Sequence, residues 1–210
     1  AAVRVGILGG TGDFGKALAA RLVAVGGVEV VIGSRDAEKG AAVAAELGAV
    51  RGCSNADAAR DCDIAVLATN ASAALDTARD LADAIGTTPL LSVAAELNFG
   101  KGGVKPSPEA LSLAERVQAV VQAPVVAGLH SVAASNLAGD DAPAEDTLVC
   151  GDDADAKALA IELAGKLITG RAIDAGPLAS ARTLEGMTAV IININKKYKA
   201  HAGVTIAGLH

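Results

Sequence analysis

The segment Val3-Arg4-Val5-Gly6-Ile7-Leu8-Gly9-Gly10-Thr11-Gly12-Asp13-Phe14-Gly15 confines this chain to a small set of folds. A short apolar run of strand character feeds straight into Gly10-x-Gly12-x-x-Gly15, and the helical pattern Ala17-Leu18-Ala19-Ala20-Arg21-Leu22 follows. Glycines at that spacing let a turn bring its backbone against a diphosphate at a helix N-terminus, where free N–H groups and aligned peptide dipoles favour an anion. The next apolar run, Val28-Glu29-Val30-Val31-Ile32-Gly33, ends in Ser34-Arg35. A site for NAD usually places an acid there to accept from the ribose hydroxyls. Here the position offers a hydroxyl and a cation, with Lys39 one helical turn beyond, which predicts a pocket for the 2′-phosphate of NADP. Asp13, whose charge would repel a diphosphate, is expected to cap the helix and point away from it.

Beyond this first unit, strand and helix patterns alternate. Asp36 to Leu47 reads as a helix, Ala49-Val50-Arg51 as a short strand and Asn55 to Arg60 as a brief helix. Asp63 to Ala68 is the clearest interior strand, nearly all apolar and ending in the polar Thr69-Asn70. A helix over Ser72 to Ile85, a strand over Pro89 to Val93, a helix over Glu109 to Val121 and a strand over Ala123 to Leu129 continue the series, with His130 directly after the last. Strands alternating with helices in this way predict a parallel sheet with right-handed crossovers. Asn98 to Pro108, rich in Gly and Pro, interrupts the rhythm as a loop that is either a plain connector or part of a cleft wall.

From Asp140 the chain turns acidic and proline-bearing. Thr147 to Cys150 then reads as a strand, Ala156 to Ile168 as a helix and Ala172 to Pro177 as a strand and turn. Asp152, Asp153 and Asp155 sit where they complement a helix dipole, and no metal is expected there. A final helix over Leu178 to Lys199 carries Leu184, Met187, Ile191, Ile194 and Tyr198 at spacings of three and four, an apolar stripe suited to a dimer seam. The expected architecture is an α/β, Rossmann-type three-layer dinucleotide-binding fold over residues 1–140, followed by a small C-terminal α/β extension over 141–210.

A net charge of −6, without a long Lys/Arg block or an aromatic stacking platform, argues against a nucleic-acid surface. No uncharged apolar stretch reaches the 18 or so residues that span a bilayer, so no membrane partner is expected. The first strand begins too early to leave room for a leader, and three separated cysteines fit reduced thiols, which together point to the cytoplasm.

The whole chain resembles the coenzyme F420-dependent NADP reductases, enzymes that exchange a hydride between NADP(H) and a deazaflavin. The likeness is carried by Gly9-Gly10-Thr11-Gly12-Asp13-Phe14-Gly15, Gly33-Ser34-Arg35, Cys62 to Leu67, Gly128-Leu129-His130, Val149-Cys150-Gly151-Asp152-Asp153 and Asp174-Ala175-Gly176-Pro177-Leu178. Most specific is the run from Asn195 through Lys196-Lys197-Tyr198-Lys199-Ala200-His201 to Gly203. The resemblance implies a nucleotide pocket of Gly10, Thr11, Gly12, Asp13 and Phe14, with Ser34, Arg35 and Lys39 around the 2′-phosphate. It implies that Ala68, Thr69, Asn70, Val93 and Ala94 line the nicotinamide side. It further implies that His130, Val132, Ala133, Ala207, Gly208 and Leu209 face the deazaflavin, and that two chains form a homodimer whose C-terminal part closes the cleft. Where many relatives carry proline after the fourth strand, this chain has Thr69-Asn70-Ala71-Ser72, and some relatives have proline where Ala94 or Ala133 stands, which implies a looser wall.

Hydride exchange between two such rings needs neither a nucleophile nor a metal. The protein has to hold donor and acceptor face to face at about 3–3.5 Å and exclude water. His130 is either an orienting and charge-stabilising donor to the reduced ring or a histidine at the core edge. Two other readings fit the residues alone: an NADP-dependent imine or carbonyl reductase with His130 as proton donor, and a non-catalytic NADPH-binding regulator.

Overall fold

The computed structural model describes all 210 residues. In chain order, β1 (Val3–Leu8), α1 (Asp13–Val25), β2 (Val28–Ser34), α2 (Ala37–Leu47), β3 (Arg51–Ser54), α3 (Asn55–Arg60), β4 (Ile64–Leu67), α4 (Ala71–Asp80), α5 (Ala82–Ile85) and β5 (Leu90–Ser92) form the first half. Then come β6 (Leu97–Gly100), β7 (Gly103–Pro106), α6 (Leu113–Gln118), β8 (Val125–Gly128), α7 (Ala134–Leu137), β9 (Thr147–Gly151), α8 (Ala154–Gly165), β10 (Ala172–Asp174) and α9 (Ala181–Tyr198). Eight strands make one sheet in the order β10-β9-β8-β5-β4-β1-β2-β3, with helices on both faces. Alternation along the strands divides the core in two. Val5, Ile7, Val30 and Ile32 pack with Leu18 and Leu22 of α1 and Leu163 of α8 on one face. Leu8, Val31, Ala65 and Leu67 pack with α3, α4, α6 and Leu184 of α9 on the other.

The α/β fold is as expected, with five local corrections. The sheet is mixed, because β9 runs antiparallel to β8, with Val126 opposite Gly151 and Gly128 opposite Val149. The chain leaves β8, passes through α7 and re-enters the sheet from the same end, so no crossover returns it to parallel. Asn98 to Pro108 is not a loop throughout: β6 and β7 form a hairpin closed by Lys101-Gly102, with Phe99 opposite Val104. Its register is set from a distance, since the Asn193 side chain both donates to the Val104 carbonyl and accepts from its N–H, at 2.7 and 2.8 Å. The helix expected from Glu109 begins only at Leu113, where Ser112 and Glu115 form a reciprocal cap. The helix expected over Ser72 to Ile85 breaks at Leu81 into α4 and α5, and the third strand lies a few residues later than its apolar residues suggested.

Strands β9 and β10 continue the same sheet, so the 140/141 boundary falls inside it. Arg21 of α1 secures that join. Although buried, its guanidinium donates to the carbonyls of Leu137, Gly139 and Asp141. No helix is long and apolar enough to cross a membrane.

Candidate functional site

The parallel strands end on one side of the sheet, and two cavities open there. The larger, of about 910 Å³, lies over the β1–α1 turn. Gly9 has a φ of +79°, which a side chain would strain. The Gly10 N–H donates to the Gly33 carbonyl at 2.9 Å, tying the turn to β2. A Cβ on Gly15 would stand 2.5 Å from the Gly9 carbonyl oxygen, so only glycine lets α1 start this close to the turn. The result is a cradle of backbone beneath the first turn of α1, the fit a diphosphate requires.

At the end of β2, Ser34 is buried. Its hydroxyl lies 3.4 Å from the Thr11 hydroxyl and accepts the Asp36 N–H at 3.2 Å. The acid that follows, Asp36, also lines the cavity, but its Oδ1 is engaged in capping α2, accepting from the N–H groups of Glu38 and Lys39. Arg35 and Lys39 are exposed and line the cavity. This strand end therefore presents cations and a hydroxyl to a ribose, with one oxygen of its carboxylate held by the backbone.

Asp13 departs from expectation. Gly12 holds the N-cap position without any side-chain bond, and Asp13, in the first turn, lines the cavity. Ala68, Thr69 and Asn70 line the same space, and the Thr69 hydroxyl is buried without a partner. The sequence reading missed Asn55, whose Oδ1 accepts the Gly9 N–H at 3.0 Å and so braces the turn from α3. It also missed the α4 face of Ser72, Ala73, Asp76, Thr77 and Asp80, which forms the opposite wall. Helical spacing could have shown that those residues share a face, but not what the face looks onto.

The second cavity, of about 230 Å³, is largely apolar. Val93 and Ala95 line it from the end of β5, Leu129 to Ala134 from the end of β8, and Thr188, Ile191, Ile192 and Asn195 from α9. Phe14 and Ala134 line both cavities, so the two meet at the Phe14 ring. Leu129 adopts a φ of +69°, uncommon outside glycine, and sets the turn that presents His130. Thr188 donates to the His130 carbonyl at 2.9 Å, fixing that turn to α9. The imidazole is buried, and neither ring nitrogen has a hydrogen-bond partner. Burial pushes its pKa down to about 4; the Ala94 backbone beside it opposes this only in part and does not reach hydrogen-bond geometry. His130 is thus a neutral imidazole at pH 7, with ring nitrogens that a bound polar ring could satisfy.

Of the residues expected against the deazaflavin, His130, Val132 and Ala133 stand together on this cavity; Val93, expected on the nicotinamide side, lines it too, whereas Ala94 lines neither cavity and has its backbone beside His130. Ala207, Gly208 and Leu209 line neither cavity. Arg171 pins that tail at the sheet edge, donating to the carbonyls of Ile206 and Leu209, while Asp146 accepts the Ile206 N–H at 2.8 Å. Asp152 and Asp153 serve the backbone, accepting from Leu178 and Ala156 respectively.

Residues 4–96 match the model of a family described as NADP oxidoreductase, coenzyme F420-dependent. The chain is 35% identical to an F420-dependent NADP reductase of Methanothermobacter marburgensis over 99% of both chains. It is also 35% identical to one of Methanocaldococcus jannaschii, again over 99% of both. A crystal structure of a proposed F420-dependent NADP reductase from Arthrobacter sp. FB24 superposes with a TM-score of 0.84 at 28% identity, covering 98% of this chain and 100% of that one.

Proposed function

The chain belongs to the F420-dependent NADP reductase family, and from that premise we propose that it carries a hydride reversibly between NADP(H) and the deazaflavin coenzyme F420. The observation that carries this reading is the meeting of a nucleotide-shaped cleft with a small apolar cavity at Phe14 and Ala134. When bound, the two coenzymes supply the donor and acceptor carbons, so the protein's part is placement. The Gly9–Gly15 cradle, braced by Asn55, would hold the diphosphate. Arg35, Lys39 and Ser34 hold the 2′-phosphate. Thr69 and Asn70 meet the nicotinamide end, and Val93, Val132, Ala133, Ile191 and Ile192 exclude water from the transfer path. His130, whose ring nitrogens are buried without a partner, would donate a hydrogen bond that stabilises negative charge on the reduced ring.

In the test of this reading, anaerobic mixing with oxidised deazaflavin should consume NADPH one for one. A ketone or cyclic imine in its place should leave NADPH intact.

We assign the reaction to the cytoplasm, a setting supported by three unpaired cysteines, and we assign residues 141–210 to closing the deazaflavin end, with α9 as its wall. We also propose a homodimer, through a face that differs from the expected stripe. Leu184 and Ile191 are buried in the chain's own core, whereas Val190, Ile194 and Leu111 are exposed beside Met187. Light scattering should give a mass near twice 20.6 kDa; a mass of one chain at working concentration would remove this face as an interface.

A further inference from the structure

Five of the nine lysines of this acidic chain are concentrated in one place. The segments 97–106 and 186–210 hold Lys101, Lys105, Lys196, Lys197 and Lys199 and not one Asp or Glu. The fold brings these segments together, because Asn193 clamps the hairpin strand β7 onto α9. All five lysines are exposed. The lysines that pair with carboxylates lie elsewhere, at Lys16 with Glu46 and Lys157 with Asp174. Phe99 is 66% exposed on the hairpin, with the Lys196 ammonium 5.9 Å from its ring centre.

This patch adjoins the apolar cavity. Ile192 and Asn195 line that cavity; Lys196 stands one turn beyond Ile192, and Lys199 one turn beyond Asn195. One turn is about 5.4 Å of helix rise. The Asn195 side chain also accepts the Ala202 N–H at 2.7 Å, fixing the turn that carries Lys199. On the other side, Val93 and Ala95 line the cavity just before the chain enters the hairpin. A cavity of about 230 Å³ holds a planar ring system, so a chain attached to that ring has to leave across its rim.

The deazaflavin coenzyme carries its ring on a ribitol chain that continues into a phosphodiester and glutamate carboxylates. We propose that Lys196, Lys199 and Lys101 form a binding site for this multiply anionic chain, holding it across the rim of the cavity while the ring lies against His130. The proposal rests on the deazaflavin reading above and adds to it a second contact, electrostatic and outside the transfer site. Exposed lysines suit a flexible chain whose charges sit at variable distances, because each ammonium is a mobile point charge that demands no fixed geometry.

The test compares two ligands on wild-type protein and on the triple variant Lys101→Gln, Lys196→Gln, Lys199→Gln. One ligand is the complete coenzyme, the other the deazaflavin with its ribitol chain but neither phosphate nor glutamates. Binding is read from deazaflavin fluorescence, and NADPH affinity is measured alongside. The expected result is an affinity loss of about tenfold for the complete coenzyme, from roughly 2–5-fold per exposed contact, with a flatter salt dependence. Affinity for the truncated ligand and for NADPH should stay unchanged. Equal affinity of wild type and variant for the complete coenzyme would overturn the site, as would equal losses for both ligands. Wild-type protein that binds neither deazaflavin would overturn the functional reading along with it. Binding of the truncated ligand without lysine-dependent gain from the anionic chain would overturn the chain site alone.

Discussion

Replacing Arg35 by alanine should raise the Kd for NADPH by about 10–100-fold and leave that for NADH nearly unchanged. The magnitude is that of a lost charge-assisted hydrogen bond to phosphate, about 1.5–3 kcal/mol. The asymmetry follows from geometry. Arg35 and Lys39 line the cleft beside Ser34, at the strand end where an adenosine ribose lies in this fold, while the Asp36 carboxylate is engaged by the α2 backbone. Titration of both nucleotides by fluorescence checks it. Equal losses for NADPH and NADH would mean that Arg35 does not read the extra phosphate.

Replacing His130 by alanine should slow hydride transfer by about one to two orders of magnitude without abolishing it, because orientation and charge stabilisation are lost while both reacting carbons remain. Stopped-flow measurement separates this from binding. In wild-type protein the transfer rate should show no His130 ionisation between pH 6 and 9, since the ring stays neutral down to about pH 4. The same burial affects stability. The folded-state pKa of about 4 lies below the ordinary 6.5, so the contribution of a neutral His130 is complete above pH 6.5 and is lost as pH falls toward 4. That loss is about 3 kcal/mol. Glu185 works in the other direction. Burial raises its carboxyl from the ordinary 4.5 to about 7, against the N–H groups of Leu113 and Ala114, so its contribution is lost as pH rises through that range. Urea unfolding of His130→Gln and wild type at pH 4.5 and 6.5 isolates the histidine: the variant should gain on wild type at the lower pH. An unchanged difference would place the ring in contact with water or a partner.

What the sequence made legible was local chemistry. The Gly9–Gly15 turn, Ser34, Arg35 and the apolar strands follow from spacing within a few residues, because the cradle is built from backbone that those residues alone control. What it hid was assembled over long separations. The hairpin looked like a loop because its glycines and prolines are dense and because the residue that clamps it, Asn193, lies 89 positions from Val104. Asn55 read as an ordinary helix start, since nothing local shows that its amide holds the Gly9 N–H 46 positions earlier. The α9 wall of Thr188, Ile192 and Asn195 belongs to the apolar cavity only through the path the chain takes after β10. The tail at Ala207 to Leu209 was expected on that cavity and instead rests on Arg171 and Asp146, residues whose charge gave no sign of a structural clamp.

The central claim is that a hydride passes directly between the two adjoining cavities, and the fate of a label tests it. NADPH carrying deuterium on the transferred position of its nicotinamide is mixed anaerobically with oxidised F420 and the enzyme, and the reduced deazaflavin is analysed by mass spectrometry. One deuterium is expected on the ring carbon for each NADPH oxidised, with none released to water. Oxidation with the label in solvent, or no oxidation of NADPH by the deazaflavin at all, would contradict it.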